Sequence, residues 1–247
     1  MWRSLLVLIH IVGAVFVVGQ EAPVYVETVD LSRGLIAKLG PMFFKIPLSG
    51  VYHTSVHVFD TEFWFQFDGP SMRRSKIGQR MESSGNITAI SESKGKFTEV
   101  VEQGRTSKTH KEVMLWFKSA EVQKTFQAEA YDIWTHNCND FTTRLLSFLG
   151  VPPLPRSVMD VPSQILATTK GARLQPTFER VIDLMRKSRK DGKAARDSSD
   201  VDEFIDSLAS ESEPVAFMVK PIVKMMRKIA LRLDRRHHRP AATTRRR

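Results

Sequence analysis

Residues 135–150 read THNCNDFTTRLLSFLG. Phe141, Leu145, Phe148 and Leu149 recur at i, i+4, i+7 and i+8, the spacing of one helical face, and Gly150 stands where a C-cap glycine belongs. The spacing predicts a helix over 139–149 with Cys138 at its N-terminus. The VPPLP that follows ends it, because proline lacks an amide donor and clashes with the preceding turn. The thiolate is the nucleophilic form of cysteine, and a helix N-terminus or a neighbouring imidazolium lowers its pKa from near 8.5 to about 3.5 to 7.5. The same first-turn amides lie where a developing oxyanion is bound, which makes the backbone N–H of Cys138 a candidate donor. Cys138 is the only cysteine in the chain, so it offers no internal disulfide and no multi-cysteine zinc site, and neither a metal nor a cofactor is expected. Simple packing is the plain alternative, since free cysteine is among the most often buried residues.

A thiol needs a base from elsewhere in space. His136, two residues before Cys138, is constrained by the local turn and is read as a brace for the loop. Upstream, GVYHTSVHVF at 50–59 is β-branched and aromatic, and Asp60-Thr61-Glu62 separates it from EFWFQF at 62–67. The pair reads as a β-hairpin with strands near 51–59 and 62–67. The two-residue period puts His53, Ser55, His57 and Phe59 on one face. Periodicity does not choose among His53, His57 and His136. Further upstream, VYVETV at 24–29 alternates like a half-buried strand and ends in the turn-like Asp30-Leu31-Ser32-Arg33-Gly34. The Ser-, Gly- and Lys-rich 70–108 reads as a loop with one or two short strands. Over at least its second half, 110–131 reads as helix, and 160–166 as one more short helix packing back on the body.

The formal charge of +10 is uneven: 18 Lys+Arg face 16 Asp+Glu over 1–170, and 19 face 11 over 171–247, leaving +2 and +8. Any attraction to anionic surfaces therefore belongs to the tail. Phe178, Val181, Ile182 and Met185 form one helical stripe, and Val201, Phe204, Ile205 and Leu208 another, with the polar 191–200 between them. At 219–235 an apolar side (Val219, Ile222, Val223, Met226, Ile229) opposes a cationic one (Lys220, Lys224, Arg227, Arg232, Arg235), a candidate contact with an anionic membrane or a helix that packs on the body. The Arg-rich end at 235–247 has no aromatic platform or nucleic-acid fold signature beside it, so nucleic acid is not the expected partner. At the start, Arg3 precedes an apolar run from Leu5 to Val18, the organisation of a signal peptide cleaved near Gly19. A working signal peptide would open the secretory pathway to the chain and Asn86-Ile87-Thr88 to glycosylation.

Five segments, in order and at compatible spacing, carry a family resemblance: VYVETVDLSRG, GVYHTSVHV, EFWF, HNCNDF and DVPSQILAT. The chain resembles the PPPDE family, permuted papain-fold peptidases that include desumoylating isopeptidases, over roughly 23–170. The resemblance implies an α+β fold, an antiparallel sheet packed with helices; outside it the residues themselves add a signal peptide or extension at 1–22 and a basic, partly helical and partly disordered tail over 171–247. It also implies a catalytic pair, the histidine of the G-x-x-H-T segment and the cysteine of H-N-C-N, which are His53 and Cys138. The implied partners are ubiquitin-like modifier conjugates, bearing SUMO or ubiquitin, and some members remove palmitate instead. A non-catalytic peptide-binding adaptor on the same scaffold is the reading of a different class. Two departures stand out: QFDGPSMRRSK where a glycine-rich stretch is expected after EFWF, and the signal-like start in a family whose familiar members are cytosolic or nuclear.

Overall fold

Strand Ala22–Asp30 (β1) alternates Val24 and Val26 with Tyr25 and Glu27, so one strand serves two different faces. Our computed structural model describes residues 21–190, 199–211, 216–217 and 219–227. β1 lies between Tyr52–Val58 (β2) and Thr98–Thr106 (β5), and the sheet continues outward through Thr61–Gln66 (β3) and Gly69–Arg74 (β4). The strand order is β4-β3-β2-β1-β5, antiparallel throughout. Asp30 fixes the exit from β1. Its carboxylate accepts from the Ser32 amide and hydroxyl and the Gly34 amide, which turns the chain into helix Leu35–Phe44 (α1). It also accepts from the Val51 amide at 3.3 Å and so sets where β2 begins.

Helices cover both faces of the sheet. Ile77–Ser84 (α2) and Ile87–Lys94 (α3) bring Ile77 and Ile90 against Tyr25 and Val100 in a small cluster on one face. Val24, Val26, Val56, Phe63 and Phe65 pack on the other face against Phe141, Leu145 and Leu146 of helix Cys138–Leu149 (α6). Between β5 and α6 run His110–Lys118 (α4), Ala120–Thr125 (α5) and a short 3-10 turn at Ala128–Ala130. Arg156–Met159 (α7), Val161–Leu166 (α8), Thr169–Lys190 (α9) and Ser199–Glu211 (α10) follow, and residues 219–227 are again helical. Phe178, Val181, Ile182, Met185, Val201, Ile205, Val219, Ile222, Val223 and Met226 all join the main core. The tail stripes are therefore packed on the body.

The α+β arrangement expected from the sequence holds. Two elements differ from expectation. Over 70–108 the chain forms β4, two helices and the nine-residue β5 in place of a loop with one or two short strands. The helix expected within 110–131 is broken at Ser119, which ends α4 and caps α5 by accepting from the Val122 amide. Asn86 of the glycosylation tripeptide is the N-cap of α3, accepting from the Ala89 amide. The signal-peptide expectation and the Arg-rich end at 235–247 fall on residues outside the described ones.

Candidate active site

Asn137 explains why the chain turns where it does. Its side-chain oxygen accepts from the Asn139 amide at 2.8 Å, and Asp140 accepts from the Asn137 amide at 2.8 Å, a capping box that starts α6 at Cys138. The helix is tied to β2 by Thr54, whose hydroxyl lies 3.0 Å from both Asn139 Oδ1 and Thr142 Oγ1. His136 braces the approach as expected: its Nδ1 lies 2.9 Å from the Ala130 carbonyl, and its ring stacks on Phe126. Arg186 of α9 holds the same loop by donating to the carbonyls of Ala128 and Tyr131.

Cys138 Sγ lies 3.8 Å from the carbonyl oxygen of Tyr52, the residue before His53, and Cys138 and His53 line one cavity. That cavity has a volume of about 60 Å³, room for a few water molecules. Both side chains are nearly closed off, Cys138 at 4% exposure and His53 at 9%. Among the described residues no hydrogen bond joins the imidazole to the thiol. Two-residue alternation places His53 on the sheet face shared by Glu27, His57 and Glu62, while α6 packs on the other face, so the two residues approach the cavity from different sides.

Burial dominates the electrostatics and reverses one expectation. It pushes the Cys138 thiol up to about 12, although the backbone amides of Thr54, Cys138 and Asn139 favour the thiolate. Position at a helix N-terminus was expected to lower this pKa; the desolvation of a closed site outweighs that field. Burial likewise brings His53 down to about 4, against the opposing influence of the Glu62 and Glu27 carboxylates. In this closed form both groups are neutral at pH 7.

His57, the other histidine on the strand, is absorbed in a separate buried network. Its Nδ1 lies 2.8 Å from Ser75 Oγ and its Nε2 3.3 Å from Glu27 Oε2. Burial alone would raise the Glu27 carboxyl, but the His57 hydrogen bond and the Lys94 ammonium together bring it to about 2. Glu27, His57 and Glu62 present ligand atoms within 4.8 Å of one another, the donor set of a metal site. Lys94 and Arg73 already neutralise the two carboxylates, which makes the cluster an ion-pair network.

Two polar side chains that sequence reasoning did not single out also line the cavity, Gln66 at the end of β3 and Trp134 in the loop before Cys138. The nearest signal was the departure after EFWF, where Gln66 stands. Most of the remaining wall is apolar, and it includes Leu174 and Phe178 of α9 and Ile222 and Met226 of the last helical residues.

The model of the PPPDE putative peptidase domain matches residues 22–179. Desumoylating isopeptidase 1 of Rattus norvegicus and that of Homo sapiens are each 31% identical to this chain over 159 residues, covering 64% of this chain and 86% of theirs. The protein of the same name from Xenopus laevis is 32% identical over 152 residues, covering 62% of this chain and 81% of its own length. The matched span takes in the whole sheet, His53, Cys138 and the first half of α9: the chain belongs to the PPPDE putative peptidase family.

Proposed function

We propose that the chain is a cysteine isopeptidase that cleaves a ubiquitin-like modifier, SUMO or ubiquitin, from target proteins, with Cys138 as nucleophile and His53 as base. The observation that supports this reading is that His53 and Cys138 line one cavity, in a chain whose relatives are named desumoylating isopeptidases. Sγ attacks the carbonyl carbon of the isopeptide bond as the imidazole takes the thiol proton, and the carbonyl becomes an oxyanion. Collapse breaks the C–N bond while the imidazolium protonates the departing lysine amine. Water, deprotonated by the same imidazole, then releases the carboxylate from the thioester. With the thiol near 12 and the imidazole near 4, proton transfer between them as isolated groups runs uphill by on the order of 10 kcal/mol. The attraction of the resulting ion pair, and hydration of the site where it opens to substrate, offset that difference.

A second reading is favoured by the apolar wall of the cavity: an S-deacylase that accepts a fatty-acyl thioester through the same Cys138 and His53. A membrane contact through 219–235 would serve it, although it would have to use the cationic side, since Val219, Ile222, Val223 and Met226 are buried in the core.

The test is covalent labelling of the full chain by ubiquitin-like proteins carrying a C-terminal electrophile. The expected result is an adduct that is lost in Cys138→Ala and slowed about 10²- to 10⁴-fold in His53→Ala. Turnover of palmitoyl thioester without any modifier adduct would replace the first reading by the second. Neither adduct nor turnover would leave a peptide-binding adaptor.

A further inference from the structure

Gln66 and Trp134 share an unusual property. Each has a buried side-chain N–H with no hydrogen-bond acceptor, at Gln66 Nε2 and Trp134 Nε1, and the two residues are only 5% and 8% exposed. Both line the cavity that holds Cys138. The neighbouring amides are already engaged: Asn137 accepts from the Asn139 amide and donates to the Ile133 carbonyl, and Asn139 accepts from Thr54 and donates to the Val158 carbonyl. These two side chains thus leave the cavity wall with donor capacity and no acceptor to meet it. Native interiors rarely leave buried donors unmet, and in a cavity wall a ligand is one source of the missing partner.

Both residues sit on ordered parts of the fold. Gln66 closes β3 on the His53 face of the sheet, between strands β2 and β4. The Trp134 ring is held edge-on against Phe178, with centroids 5.5 Å apart, and its backbone amide donates to Asp132. One donor-bearing residue therefore lines the cavity from the sheet and the other from the loop before the nucleophile.

We propose that Gln66 and Trp134 form a donor subsite for the carbonyl oxygens of a peptidyl acyl group, and that this subsite sets the preference of the enzyme for peptide-terminated acyl donors over saturated fatty-acyl thioesters. The inference rests on the hydrolase reading above and selects between its two substrate classes. A peptidyl acyl group carries a carbonyl at the scissile carbon and another at the next peptide unit, so both donors are met. A saturated chain has only the scissile carbonyl, and its methylenes leave at least one donor unpaired in an apolar wall. Each unpaired donor costs roughly 5- to 150-fold in kcat/KM.

The experiment uses the full chain and two thioesters with one common leaving thiol, a peptidyl-glycyl thioester and a palmitoyl thioester. The ratio of their kcat/KM values is measured for the wild type, Gln66→Leu, Gln66→Met and Trp134→Phe. We expect the wild type to favour the peptidyl substrate and substitution of the donor that meets the second carbonyl, the one carbonyl the fatty chain lacks, to lower that ratio roughly 5- to 150-fold. A donor that meets the ground-state carbonyl shows the loss in KM, and one that meets the oxyanion shows it in kcat. General damage to folding lowers both substrates together and leaves the ratio in place, so the two Gln66 variants separate structure from recognition. A ratio unchanged within about twofold in all three variants, or a wild type that favours palmitoyl thioester, overturns the subsite. A wild type that turns over neither substrate, with Cys138→Ala indistinguishable from it, overturns the hydrolase reading and the subsite together.

Discussion

An imidazole kept neutral by its surroundings is a load on the fold at low pH. His53 titrates near 4 in the folded chain because burial disfavours its charge, whereas an exposed histidine titrates near 6.5. Between those values the unfolded chain binds the extra proton, so the stability due to His53 is fully present above pH 6.5 and is lost as pH falls toward 4. The full difference amounts to about 3 kcal/mol. Glu27 acts in the same direction over a lower window, from its ordinary 4.5 down to about 2. Denaturant unfolding at pH 7, 5.5 and 4 is expected to show falling stability, with a flatter profile between 6.5 and 4 in His53→Gln; equal slopes in both proteins would contradict this. Chemical identity at these positions was legible in the sequence, and electrostatic state was not. The period-two pattern placed His53 and His57 on one face, but only the fold reveals that His57 is committed to Glu27 and Ser75. The helix N-terminus pointed toward a lowered thiol pKa, and the closing of the cavity, which depends on residues more than 80 positions away, reversed it.

The start of α6 depends on one side chain. Asn137→Ala removes the acceptor for the Asn139 amide and is expected to cost about 1 kcal/mol of stability, read as a lower midpoint in denaturant at unchanged slope. A tighter constraint lies between α8 and α9. A Cβ on Gly171 would sit 1.8 Å from the carbonyl oxygen of Ile165, so Gly171→Ala must push two backbones apart. It should destabilise by about 3 kcal/mol or more, and a loss under about 0.5 kcal/mol would refute the close approach. Elements with dense, regular apolar spacing were readable in advance: α6 by Phe141, Leu145, Phe148 and Leu149, and the β2–β3 hairpin by its aromatic and β-branched runs. The segment at 70–108 was not. α2 and α3 contact the core through little more than Ile77, Met81, Ile87 and Ile90, and among the nine residues of β5 only Val100 and Thr106 are buried. What shapes that segment is a polar network on the sheet, Lys94 to Glu27 and Arg73 to Glu62, which no hydrophobic pattern announces.

At the scale of the whole molecule, the tail completes the core that encloses the Cys138 sulfur. The amphipathic stripes over 176–185, 201–208 and 219–226 were visible in the sequence; the surface they cover was not, because a stripe reports that a partner exists without saying which. Ile222 and Met226 stand in the cavity wall beside Leu174 and Phe178, beyond or near the end of the family match at residue 179. Ending the chain after residue 198 withdraws Val201, Ile205, Val219, Ile222, Val223 and Met226 from the core. At roughly 1.5 to 3 kcal/mol per fully buried large side chain, the shortened protein should melt well below the full chain, as scanning calorimetry would record. An unchanged melting temperature would mean that the tail contributes no packing. The same enclosure makes Cys138 a built-in reporter. Because no other thiol exists in the chain, the reaction of native protein with a chromogenic disulfide counts excursions of one atom into solvent. Its rate, compared with that of the denatured chain, gives the free energy of the breathing motion that uncovers this cavity.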